Sequence, residues 1–507
     1  MITVRIKDSW EDVGQKVDFT NCQDEDFLQN IESKKVSIEI EDNCWNGEQI
    51  REALVEPLID FSNFKLQELA EDKDYSNLLV FSDAKRKNES HLLDLPVFSH
   101  SIIDEDTVRI MTGNVMGYIG AGNVQMKIRS RFDNGGHDFF LHYMLEKVFH
   151  VNLINLPHGN AGARILDILY LMFPYFLKKA VKQGILRQYV NKSCNDSTLK
   201  GTIDIPRHIR QNIPFLGKVA YTSHEYSIDN SLTQLVRHTI EHIRNRPIGK
   251  AILHDGENRK AVQEIVYATP SYNAEERSKI IRINNRPVAH PYYTEYGELK
   301  KICLQILTHS KMSYKEGKPT IHGILFDGAW LWEEYVHTIL TDFEHPRNDK
   351  GEGGIRLFAA DEDENEAFTR SRRKIYPDFY KKDENGTYQC ILDAKYKKQD
   401  EKGICREDLY QVISYMHTTE CKLGGYIYPY QPKDNVTPYR EYSLAGLGGT
   451  VFSFPVIIPQ SEKYEDFRKS MEGIEDKIRE LISGIPYNKN KGEIDNYVKD
   501  IPITESI

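Results

Sequence analysis

Residues 375–398, IYPDFYKKDENGTYQCILDAKYKK, carry the reading of this chain. Two runs of strand-forming residues flank Asp383-Glu384-Asn385-Gly386, a cluster of turn formers, and together they predict a hairpin. Asp378 follows Pro377 in the first arm, and Asp393-Ala394-Lys395 lies in the second, its aspartate 15 positions after Asp378. Side chains at i and i+2 of a strand share a face. Asp393 and Lys395 therefore project together, while Leu392 and Ala394 face the other way. Asp378, on the opposite arm, reaches the same edge. Two carboxylates brought together repel unless a cation lies between them. Hard oxygen ligands suit Mg²⁺, which also keeps waters and binds substrate phosphate. A lysine beside such an ion orients or deprotonates the attacking water and stabilises charge around phosphorus. The ion itself supplies Lewis acidity. The set suits phosphodiester hydrolysis.

A lone P-D or a lone D-x-K is weak, and an exposed amphipathic hairpin is its bland alternative. The order of elements adds weight: helix, strand, hairpin with both motifs, helix, strand. In the preceding helix, FDGAWLWEEYVHTIL (326–340), Glu333 falls within about 20° of Phe326 and Leu340 at 100° per residue. That puts it on the apolar side, with Glu334 on the wet side. A carboxylate there needs a cation or a hydrogen bond. A third acidic metal-site residue meets that need; a side chain at the border of the face that snorkels to water is the alternative. In the following helix, EDLYQVISYMHTT (407–419), Gln411 and Tyr415 are four apart and share a face. They read as supports for the site or phosphate contacts, against ordinary helix surface. Arg370, Arg372, Arg373 and Lys374 precede the aspartates, and Lys397 and Lys398 follow. This basic rim fits a local phosphate track, against a solvated loop.

Working outward, 507 residues suggest about three domains. A chain that is 40% hydrophobic and 28% charged is globular, and a net charge of −10 disfavours coating nucleic acid through bulk charge. Residues 1–155 read as a β-rich N-terminal module, with alternation at Val108, Ile110, Val124, Met126 and Ile128; its first hundred or so residues are polar and irregular. Residues 156–320 are helix-rich: 163–184 stops at Gly184, and Asp229-Asn230-Ser231 caps a helix through Arg244. Residues 321–460 form the α/β core around the hairpin, including a strand expected over 355–360, and 461–507 a charged helix and tail. The fold class is thus α+β and multidomain.

Seven cysteines are scattered without a C-x-x-C pair, which argues against a zinc ribbon and a disulfide framework. No apolar run is long enough to span a membrane, and no signal-type h-region opens the chain, so a cytoplasmic protein is expected. No G-x-x-x-x-G-K-[ST] occurs, so nucleotide hydrolysis through a P-loop is not expected of this chain.

Tyr376-Pro377-Asp378, the run ILDAKYK (391–397) and QVISY (411–415) resemble the PD-(D/E)xK nuclease superfamily, in its Q-x-x-x-Y branch. TLKGTIDIPRHIRQN (198–212), EYSIDNSLTQLVRHTIEHI (225–243), PYYTEYGELKKICLQIL (291–307) and LWEEYV (331–336) extend the resemblance to the McrC family, the nuclease subunits of McrBC-type restriction systems. It runs from about residue 107 to 460. The resemblance implies a restriction-endonuclease-like C-terminal domain that cuts double-stranded DNA, often at modified cytosine. It implies an McrB-like AAA+ GTPase hexamer as partner, engaged by the N-terminal β module. It implies Asp378 and Asp393 as Mg²⁺ ligands, Lys395 as the catalytic lysine, Glu333 as the acidic residue of the first helix, and Gln411 and Tyr415 as the supporting helix. A stand-alone repair or recombination nuclease and a catalytically silent activator of a AAA+ ring are the rival readings. Many Q-x-x-x-Y relatives carry cysteine-ligated iron–sulfur clusters, and the scattered cysteines count against that subtype. Residues 1 to about 100 lie outside the resemblance.

Overall fold

The computed structural model describes residues 2–5, 36–41, 48–51 and 58–483, apart from 60–61, 63, 72–77, 82–95, 104–106, 122–123, 133–137, 150–160, 247–248, 255, 286–291, 309–313, 316–317, 320, 347–353, 358–373, 398–404, 432–439 and 447. The chain divides into two compact units, one made of 1–154 and 314–507, the other of 155–313.

The first unit contains a six-stranded sheet. Its order is Ile2–Arg5, Val36–Glu41, Val124–Arg129, Val115–Ala121, Ile321–Asp327, Leu78–Phe81. The alternating residues Val124, Met126 and Ile128 are buried on one face, with Val108 and Ile110 of a neighbouring three-stranded sheet in the same core. Ile321–Asp327 pairs antiparallel with Val115–Ala121, so strands about 200 residues apart in the chain share a sheet. A Cβ on Gly117 (φ 129°) would run into the backbone of Ile324, which explains a glycine at that crossing. The same strand leads straight into the helix Gly328–Ile339, where Asp327 caps the Ala329 and Trp330 amides.

Beyond that helix lies a five-stranded sheet in the order Phe379–Lys382, Tyr388–Ala394, Leu423–Tyr430, Thr450–Ile457, Arg440–Ser443. The three inner strands are parallel, and both edges are antiparallel. The expected hairpin turn forms: Asp383 accepts from the Asn385 and Thr387 amides, and Gly386 has φ 83°. The helix Arg406–Thr418 makes the crossover between two parallel strands. Val412 and Met416 pack from it onto Tyr426 and Val451. Each such buried side chain contributes about 1.5–3 kcal/mol. Of the strand expected over 355–360, Ile355–Arg356 is extended and 358–360 lie outside the described residues.

The second unit holds the helices Ala161–Lys182, Ser231–Arg244, Gly249–His254, Gly256–Ala268, Arg277–Asn284 and Glu295–Thr308. Asn230 is the cap, reciprocated by Thr233, and Leu232, Leu235, Val236, Ile240 and Ile243 line its buried face. It also contains an antiparallel pair, Gln188–Asp196 with Val219–Ser227, that helical spacing gave no sign of. QYVNKSCND has no buried face, and hence no hydrophobic alternation to read.

Candidate active site

The end of the strand Tyr388–Ala394 gathers the acidic and basic groups. Asp393 is 1% exposed and Asp378, just before Phe379–Lys382, is 6% exposed. Asp378 Oδ2 accepts from the Ala394 amide at 2.8 Å, which fixes the carboxylate across the two arms of the hairpin. Lys395 leaves the strand with its own amide bonded to the Ile427 carbonyl, and its Nζ lies 2.6 Å from Asp393 Oδ2. That contact is an ion pair, yet Asp393 Oδ2 meets no donor at hydrogen-bonding angles. Burial pushes the Asp393 carboxyl up to about 7; Lys395 pulls the other way, and Asp378 adds to the rise. Burial opposes the Lys395 charge, but Asp393, Asp378 and Asp408 outweigh it and hold its pKa above the ordinary lysine range. Lys395 is therefore an ammonium.

A directed chain of hydrogen bonds runs back from this lysine. Lys395 Nζ donates to Gln411 Oε1 (2.8 Å), Gln411 Nε2 donates to the Tyr415 hydroxyl (2.7 Å), and that hydroxyl donates to the Tyr376 carbonyl (3.2 Å). The i,i+4 pair on the helix thus connects the D-x-K strand to the residue before Pro377. The amide of Gln411 has only one orientation consistent with both bonds.

Glu333 is 6% exposed, on the inward face of its helix. His345 lies between it and Asp378: Nδ1 donates to the Asp378 carbonyl at 2.8 Å, and Nε2 is 3.8 Å from Glu333 Oε1. Lys397 pairs with both oxygens of Asp408, at 3.0 and 2.9 Å, so its charge is met within the protein. Arg372 and Arg373 of the basic rim, with Arg370 and Lys398, lie outside the described residues.

Sequence reasoning missed three groups. His345 follows its helix in an irregular stretch where no period singles it out. Asp408, one of a run of charges, approaches Lys395 to 3.9 Å only through the tertiary fold. Tyr426 sits opposite Asp393 in the parallel register, and its hydroxyl is buried without a hydrogen-bond partner. Tyr396, next to Lys395, points away from the site. Its hydroxyl lies 2.7 Å from Ser130 Oγ and its ring lies under the Arg131 guanidinium, which anchors the strand end to the N-terminal sheet.

Among the described residues, no group of three or more His, Cys, Asp and Glu side chains is gathered to hold a metal. A cage made wholly of protein ligands is thus not what these residues offer. Two hard carboxylates, one with an oxygen lacking a hydrogen bond, fit an ion that fills the rest of its shell with water and phosphate, as Mg²⁺ does. Among the described residues, no helix is long and apolar enough to cross a membrane.

Solved structures with some likeness come from Thermococcus gammatolerans. One is a half-complex from a tetradecameric assembly of McrB AAA+ hexamers with bound McrC, at 16% identity and a TM-score of 0.40, covering 86% of this chain and 100% of that one. Another is an McrBC complex, at 16% identity and a TM-score of 0.28, covering 60% of this chain and 87% of that one. Scores this low carry no argument about the present molecule. No curated protein matches the chain. The family model for the McrBC 5-methylcytosine restriction system component matches residues 110–429, well over half of the sequence. This chain belongs to the McrBC 5-methylcytosine restriction system component family.

Proposed function

We propose that this chain is the DNA-cutting subunit of an McrBC-type restriction complex, with a PD-(D/E)xK nuclease domain that hydrolyses phosphodiester bonds with Mg²⁺. The observation that carries the reading is the convergence of Asp378, Asp393 and Lys395, backed by Gln411 and Tyr415, at one strand end. Asp378 and Asp393 would hold the ion, with Glu333 beyond His345. When bound, Mg²⁺ supplies Lewis acidity toward the scissile phosphate and lowers the pKa of water.

The chain's own residues do the rest. Lys395, kept charged by its acidic neighbours, is not a base in this state; it is a donor that orients the attacking water and offsets charge developing on the phosphate oxygens. Gln411 limits where that ammonium points, and Tyr415 limits Gln411. Asp378, bonded to the Ala394 amide, holds the two arms at fixed separation. Preorganisation of this kind is what lets a donor act without rearranging during the reaction.

The partner is a AAA+ GTPase ring of the McrB type, in keeping with the family. The expectation from resemblance places ring engagement on the N-terminal β module. The 155–313 unit also carries an exposed apolar surface, on the strand pair and the short helix Ile205–Gln211 that packs beside it. There Ile203, Ile205, Ile209, Ile213, Phe215 and Leu216 are all exposed. Exposed apolar patches of this kind mark interaction surfaces.

The test is cleavage of linear double-stranded DNA by the purified chain with its ring partner, GTP and Mg²⁺. Asp378→Ala is expected to abolish cutting while partner binding survives. Retained cutting by Asp378→Ala refutes the assignment. Full cutting without the ring or GTP makes the chain a stand-alone nuclease.

A further inference from the structure

The strand Leu423–Tyr430 runs parallel to Tyr388–Ala394, with Gly424 opposite Ile391 and Tyr426 opposite Asp393. Residues paired in this way present their side chains to one face of the sheet. That face is the one covered by the helix Arg406–Thr418. Ile391 packs with Tyr415, a Cβ on Gly424 would run into Val412 and Met416, and the Tyr426 ring packs with Val412, Met416 and Val451. Asp393 and Tyr426 are thus neighbours under one helix, and each is 1% exposed. The packing accounts for the ring of Tyr426 but not for its hydroxyl. A buried phenol hydroxyl normally finds a partner, yet this one meets none among the described residues. Asp393 Oδ2 is the complementary case, a buried acceptor with the Lys395 ammonium at 2.6 Å but no donor at hydrogen-bonding angles. Burial first, and then the Asp393 and Asp408 charges, raise the pKa of the phenol, so Tyr426 keeps its proton and is a neutral donor beside them.

We propose that Tyr426 is a positioning residue for the cleavage site: its hydroxyl donates to a water that also bonds Asp393 Oδ2, and so holds the Asp393 carboxylate in the orientation in which it meets the ion. A buried water engages about three polar groups, and the Lys395 ammonium is at hand as the third. Carboxylates that hold metals are as a rule hydrogen-bonded in turn. The inference rests on the nuclease reading above and adds a residue that its motifs do not contain. Tyr426 acts through Asp393 and need not touch DNA. The alternative is a core tyrosine whose hydroxyl has no part in the site.

Tyr426→Phe separates the two, because it keeps the ring against Val412 and Met416 and removes only the oxygen. Titration calorimetry on the full chain alone is expected to show Mg²⁺ binding weakened about tenfold. In the full complex with GTP, Mg²⁺ and linear DNA, kcat is expected to fall about 10–100-fold, the range for residues that orient metal ligands, with KM for DNA unchanged. A core tyrosine predicts wild-type values for both. Metal-free crystals of the wild-type chain give a second reading that does not depend on a variant folding: an ordered water is expected within hydrogen-bonding distance of both the Tyr426 hydroxyl and Asp393 Oδ2. Wild-type Mg²⁺ binding and kcat in Tyr426→Phe, or wild-type crystals in which the hydroxyl bonds elsewhere or to nothing, overturn the inference. A wild-type chain that neither binds Mg²⁺ nor cuts DNA overturns the nuclease reading instead, and its crystals still show whether the water joins Tyr426 to Asp393.

Discussion

Glu475 and Asp393 are each 1% exposed, and the protein treats them in opposite ways. Glu475 lies on the helix Tyr464–Ser483, in a layer of packed helices. Its Oε1 accepts from the Tyr143 and Tyr335 hydroxyls at 2.8 and 3.0 Å, and its Oε2 from Lys147 and Arg479 at 3.0 and 3.2 Å. Asp393 has one ammonium at 2.6 Å, a second carboxylate pushing against it, and an oxygen without a hydrogen bond. Buried polar groups in folded proteins are normally satisfied. The first carboxylate is spent on holding helices together. The second is met within the chain by Lys395 and repelled by Asp378, and on the proposed nuclease reading it is the carboxylate that a metal ion would meet.

Exchanging the charge at each place sharpens the contrast. Lys395→Ala is expected to lower the cleavage rate by about 10³-fold, the scale for losing a preorganised donor, in initial-rate assays of the full complex. Glu475→Gln, measured on the folded fraction, is expected to leave the rate unchanged. If Glu475→Gln slows cutting as much as Lys395→Ala does, the division between the two carboxylates is wrong.

Stability is expected to move the other way. Removing one partner from a saturated buried ion network costs about 3–5 kcal/mol, so Glu475→Gln should lower the midpoint of denaturant unfolding clearly. Asp393→Asn removes a carboxylate whose burial and repulsion by Asp378 offset its attraction to Lys395, so a smaller loss than for Glu475→Gln is expected in metal-free buffer. A large loss on Asp393→Asn would show that Asp393 is a structural acid like Glu475.

The smallest effect is in the pH dependence. The Asp393 carboxyl is raised from 3.8 to about 7, so between those values the folded chain keeps a proton that the unfolded chain has lost. The stabilisation from this group is complete below pH 4 or so and disappears as pH rises through about 7. Metal-free unfolding measured from pH 4 to 8 should show that decline in wild type, and the decline should be shallower in Asp393→Asn. Equal slopes in the two proteins would contradict the origin of the shift.

Much of this region was legible in the sequence because its signals are local. Turn residues at 383–386 fixed the hairpin, period 2 put Asp393 and Lys395 on one side, and a four-residue step put Gln411 and Tyr415 on one helix face. Helical phase placed Glu333 inward, where the structure buries it. The rest depends on contacts distant in sequence. His345 gains its place from the two-bond bridge between its neighbour Glu344 and Tyr380, and Asp408 from the crossover of its helix. Nothing within Ile321–Asp327 says that it pairs with a strand about 200 residues earlier. The strand pair at 188–227 hides for the opposite reason: Gln188–Asp196 has no buried residue, and Val219–Ser227 buries only Ala220, Tyr221 and Ser223.

The most direct test is to grow crystals of the full chain with Mn²⁺ in place of Mg²⁺ and measure anomalous scattering. A single strong peak is expected between the Asp378 and Asp393 carboxylates, lost in Asp378→Ala. Saturating Mn²⁺ with no peak there, or a peak that persists in Asp378→Ala, would contradict it.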